Sequence, residues 1–158
     1  MVPCPIEMSI QPTSVVRRIL EDARANPRGD LVCEALAPEA FRATHPRQSI
    51  TWLRAPAGGF TTEFEFWAHA LRVWLEQSGV PERLEAIVGN ARCEPVTEAD
   101  LRQAVDARLA SSRVPRRLEL AGSFAGAYRM IEQDVLESYA IETDAELLAF
   151  FWEDLDWR

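Results

Sequence analysis

Glu65 and His69 stand four residues apart in a stretch of strong apolar periodicity, so on a helix their side chains share one face. A carboxylate beside an imidazole is the pairing that holds a metal ion or orients a general base. A catalytic metal needs three protein ligands, and no third ligand follows at a suggestive spacing. The simpler expectation is therefore an exposed ion pair flanking a buried stripe, with no metal assigned. Cys33 with His69 or His45 is the other arrangement with chemical potential, a thiolate activated by an imidazole. The three cysteines, Cys4, Cys33 and Cys93, form no C-x-x-C pair and carry no family signature. They point to neither a disulfide framework nor a structural zinc site.

The remaining motifs read as turns. Gly122-Ser-Phe-Ala-Gly126 has Ala121 where a nucleophile elbow needs glycine, two residues before its serine. Gly58-Gly59 lacks the further glycines and the lysine of a phosphate loop. All 17 basic residues are arginine, which excludes a Schiff-base lysine, a lysine general base and a Walker lysine. No catalytic residue is assigned, and no cofactor is expected. Arg113, Arg116 and Arg117 form the single basic concentration, but a net charge of −8 opposes nucleic-acid binding, which depends on phosphate neutralisation.

The elements that must position these groups follow from periodicity and caps. Thr13 or Ser14 caps a helix with Val15, Val16, Ile19, Leu20 and Ala23 inward. A short helical stretch is expected over Asp30 to Leu36, leading through Pro38 to Ala40–Ala43, and a strand over Ser49 to Arg54. Phe64, Trp67, Leu71, Trp74 and Leu75 predict the strongest helix, from about Thr62 to Gln77, carrying Glu65 and His69. Pro81 opens a short helix, and Thr97 with Asp100 opens another through Leu109. Short strands are expected at Arg116–Leu120, Tyr128–Ile131, Ser138–Ile141 and Leu147–Trp152. The last of these competes with a helix starting at Thr143, and the hairpin turning at Thr143-Asp144-Ala145 is favoured. The fold class is thus α+β, four or five helices packed with a small antiparallel sheet formed mainly by the C-terminal quarter. Residues 1–12 are expected to be a flexible extension, with Met8 an alternative start, and 13–158 a single globular domain. With no signal-like N-terminal run and no long apolar stretch, the expected compartment is the cytoplasm, with no membrane contact.

The charge is unevenly placed. Residues 1–60 hold seven Arg and six acids, residues 61–118 eight Arg and nine acids, and residues 119–158 two Arg against ten acids. In the favoured hairpin Glu142, Asp144 and Glu146 border the turn and Glu153, Asp154 and Asp156 follow the second strand. Six carboxylates are therefore expected to cluster at one end, with Trp157 as a surface anchor, forming a face for a protein partner with a basic surface. A solvated, solubility-promoting terminus is the plainer reading of the same residues.

The stretch Glu142-Thr-Asp-Ala-Glu-Leu-Leu-Ala-Phe-Phe-Trp152 resembles the closing hairpin of small bacterial immunity proteins that neutralise polymorphic toxins. The resemblance implies a cytoplasmic inhibitor that binds a toxin domain, such as a nuclease, one to one and occludes its active site. Two other functions fit the same chain. One is a small hydrolase using His69 with Glu65 or Cys33. The other is an adaptor or oligomeric scaffold whose apolar stripes are partly exposed.

Overall fold

The computed structural model describes residues 13–26, 30–42, 47–114 and 116–157. The proposed extension, His45 and Cys4 lie outside them. Among the described residues the chain runs α1 (Thr13–Ala25), β1 (Val32–Leu36), β2 (Gln48–Pro56), α2 (Glu63–Gln77) and α3 (Leu84–Gly89). It continues through β3 (Glu94–Pro95), α4 (Glu98–Leu109), β4 (Phe124–Gln133), β5 (Leu136–Thr143) and β6 (Glu146–Asp154). Among the described residues the fold is α+β: four α-helices with one six-stranded antiparallel sheet in the order β1-β2-β6-β5-β4-β3.

The sheet is not confined to the C-terminal quarter. β2 pairs with β6 along its whole length, from Gln48 opposite Asp154 to Pro56 opposite Glu146. This puts β6 in the middle of the sheet. Its residues Leu147, Ala149 and Phe151 pack under α1, α2 and α3, whereas Leu148, Phe150 and Trp152 pack against α4 on the opposite face. A strand buried on both faces must be apolar without alternation, which is why 147–152 reads as an uninterrupted hydrophobic run.

Two expected elements differ. Asp30–Leu36 forms no helix; Val32–Leu36 is an edge strand antiparallel to β2. Helix formers such as Glu34 and Ala35 are outweighed here, because a segment this short gains more from pairing with β2 than from one isolated turn. Arg116–Leu120 is irregular rather than a strand. Its fixed points are side-chain bonds: Asp106 Oδ1 accepts from the Leu118 N–H at 2.8 Å, and Arg102 Nη1 donates to the Leu118 carbonyl at 3.1 Å.

Thr97 caps its helix as the sequence predicts, and Thr62 caps α2 in the same way. Thr62 and Thr97 each accept the backbone N–H three residues on, at 3.1 Å, opening α2 and α4. Trp67 seats α2 on the sheet: its Nε1–H donates to Ser138 Oγ at 2.9 Å, and that hydroxyl donates to the Phe150 carbonyl at 2.7 Å. Phe151, Trp74 and Trp157 then stack as a column, with centroids 4.6 and 5.7 Å apart. Gly122 makes the turn before β4. It has φ +78°, and a Cβ there would lie 2.0 Å from Asp144 Oδ1 and 2.9 Å from Ala145 Cβ.

Candidate functional site

The first turn of α2 separates two clefts that both hold carboxylates. Glu63 follows the Thr62 cap and turns inward, only 3 % exposed. It meets Glu142 at the end of β5 in a cleft of about 400 Å³ walled by Val96, Phe124, Ala127 and Tyr128. One carboxyl hydrogen bond links the two acids, while Glu63 Oε2 is buried without a hydrogen-bond partner. Burial pushes the Glu63 carboxyl up to about 8, and the bond to Glu142 adds to the rise. Near pH 7 these surroundings favour the neutral acid at Glu63.

On the other side of the same turn Glu65 faces α1. His69, one helical turn along α2, is 2 % exposed and packs against Phe60, with ring centroids 5.2 Å apart. Its Nε2 lies 2.8 Å from Asp22 Oδ2 on α1. Asp22, Glu65 and His69 place one ligand atom each within 4.8 Å of the others. The expectation of an exposed Glu65–His69 pair is therefore corrected, since the histidine is buried, and α1 brings Asp22 beside the two. The third group is 43 residues upstream of Glu65, so no local spacing could reveal it.

Cys33 does not join His69. Its thiol lies 3.5 Å from Gln77 Oε1, and Gln77 is about 12 Å along α2 from His69 at helical rise. Cys93 is buried and Cys33 exposed.

The six C-terminal acids are not one cluster. Glu142, Asp144 and Glu146 border the β5–β6 turn, but Glu153 and Asp154 lie at the far end of β6, about 23 Å from Glu146 at the rise of a strand. Asp156 is on the turn that follows, and its side chain is outside the described residues. The error was geometric: residues after the second strand of a hairpin lie opposite its turn. Several acids are also engaged internally. Glu146 is buried, pairs with Arg54 and accepts the Ala121 N–H at 3.1 Å. Glu153 is buried, accepting from Ser49 Oγ at 3.1 Å and from Trp157 Nε1. Trp157 is half-buried on Trp74 with Arg83 over its ring, so it serves the protein's own core rather than standing out as a surface anchor. Asp144 is exposed and accepts the Ser123 N–H at 2.8 Å.

The excess charge, local in sequence, is spread in space. Arginines from the first three-quarters reach into the acidic quarter: Arg54 to Glu146, Arg92 to Glu132 and Arg108 to Glu137. Arg108 also lies 3.6 Å over the Trp152 ring. At the turn end of the sheet Asp144 is exposed, and the Glu63–Glu142 cleft lies nearby.

No protein-family model, curated protein or solved structure matches this chain. Among the described residues no helix is long and apolar enough to cross a membrane.

Proposed function

We propose that this chain is a non-catalytic binding protein of the immunity or antitoxin type, a stoichiometric inhibitor of a partner with a basic surface. One observation carries the reading: the buried Glu63 carboxyl, with an unpartnered oxygen, faces an apolar-walled cleft beside Glu142. Such a cleft suits a lysine or arginine side chain of the partner, whose methylene stem would pack on Phe124 and Val96. The cationic head would satisfy the open oxygen and replace the shared proton of the acid pair. Asp144, exposed on the neighbouring turn, would steer the encounter.

The candidate partner for a test is the product of the reading frame adjacent to this chain's gene. The expected result is a one-to-one complex in light scattering, with Glu63→Gln and Glu142→Gln weakening it about 30-fold or more. Because capture ionises Glu63, formation should release a proton below pH 8, and affinity should rise as the pH approaches 8. Calorimetry in buffers of different ionisation enthalpy reads that proton. A complex unaffected by either substitution, or the absence of a complex with that product, would overturn the proposal.

A further inference from the structure

We propose that Asp22, Glu65 and His69 form a binding site for one divalent first-row transition-metal ion, of the zinc or manganese class. This site is separate from the Glu63–Glu142 cleft and does not depend on the function assigned to it. Three observations support it together. Two helices bring one imidazole and two carboxylates to a common point, with all three ligand atoms within 4.8 Å. The site is accessible from one side, because Asp22 and Glu65 line a cleft of about 420 Å³ together with Arg18, Thr61 and Thr62. The imidazole lies behind these carboxylates, nearly fully buried and packed against Phe60, with Nε2 directed at Asp22.

Donor spacing and chemistry select the ion. With bonds of about 2.0–2.2 Å, a tetrahedral ion holds its donors about 3.3–3.6 Å apart. The 2.8 Å between His69 and Asp22 must open by roughly half an ångström or a little more, and Glu65 must approach. Asp22 and Glu65 are only partly buried, so small carboxylate rotations supply both movements. Calcium prefers six to eight oxygens and thiophilic ions prefer sulfur, whereas a mixed imidazole and carboxylate set suits zinc, manganese or iron. Three protein ligands leave at least one position facing the cleft, for water or for a small oxyanion within reach of Arg18.

The test uses the full chain, dialysed against chelator and titrated with Zn²⁺ and Mn²⁺ by calorimetry and with Co²⁺ by visible absorption. The expected result is one equivalent bound, with a rise in the unfolding midpoint at saturating metal. Glu65→Gln and His69→Gln should each weaken binding by at least about tenfold, since even outer-shell partners carry that much. Glu65→Gln is the informative variant: glutamine keeps the capping position and the side chain is only partly buried, so the metal-free fold should be unaffected. Glu142→Gln should bind metal as the parent does. The proposal fails if no single equivalent binds, or if Glu65→Gln binds as tightly as the parent, leaving Asp22 and His69 as a structural ion pair.

Discussion

Glu63 and Glu65 are two residues apart on the same helical turn, both at the positive end of the α2 dipole, yet they have opposite surroundings. Glu63 turns to the sheet, is buried and meets a second acid. Glu65 turns to α1 and meets an imidazole and Asp22 at a cleft mouth. The dipole acts on both and cannot account for the difference. What separates them is burial first and the partner second: Glu63 is buried against another acid and keeps its proton, whereas Glu65 is only partly buried and faces Asp22 and His69.

Both arrangements depend on α2 being seated on the sheet, so the largest effect should come from its anchor. Trp67→Ala should destabilise the protein by about 3–5 kcal/mol, the range for deleting a buried aromatic ring. In urea unfolding the same variant should flatten the pH dependence that Glu63 confers. A variant that lost stability but kept that pH dependence would show that the Glu63 pocket is independent of the anchor.

The second effect separates the two sides of the turn. The folded Glu63 carboxyl titrates at about 8 against an ordinary value of 4.5. Between those values the unfolded chain ionises while the folded chain holds its proton, so stability falls as the pH rises from 4.5 to 8 and then levels off. A shift of this size corresponds to a loss of roughly a few kcal/mol. Glu63→Gln should remove it, leaving the variant more stable than the parent at pH 9 and about equal at pH 4. Urea midpoints at both values decide the matter, and equal pH profiles for variant and parent would refute the acid–acid account.

Much of this arrangement was legible in the sequence, and the exceptions have physical causes. α2 and the β5–β6 hairpin are written in local periodicity and turn chemistry. The Glu65–His69 face was legible for the same reason, being four residues apart on one helix. Asp22 was not, because α1 reaches α2 only through tertiary packing. Glu63 reads as an ordinary first-turn acid, and nothing near it in sequence announces Glu142, 79 residues on. β1 was missed because the gain from pairing with β2 is not encoded in its own residues. The single acidic cluster did not form because its acids lie at opposite ends of β6, with Glu146 and Glu153 buried against partners of their own.

The acids bordering the β5–β6 turn extend the comparison between buried and open carboxylates. Glu146 is engaged by Arg54 and by the Ala121 N–H. Glu146→Gln leaves that arginine without its charge partner and should cost about 1–3 kcal/mol in chemical unfolding. A loss below about 0.5 kcal/mol would mean that water replaces the pair and that its burial contributes little.

Asp144, two residues away, is the smallest expected case in stability and the most direct probe of the surface. It is exposed, and its Oδ1 accepts the Ser123 N–H, a bond that an asparagine carbonyl oxygen can also accept. Asp144→Asn should therefore change stability by no more than about 0.5 kcal/mol. If the turn steers a basic partner, the same substitution should slow association and reduce its salt dependence while leaving dissociation nearly unchanged. Stopped-flow association at low and physiological ionic strength separates these effects. An unchanged on-rate would confine recognition to the Glu63–Glu142 cleft, and a large loss of stability would make Asp144 a structural acid of the Glu146 kind.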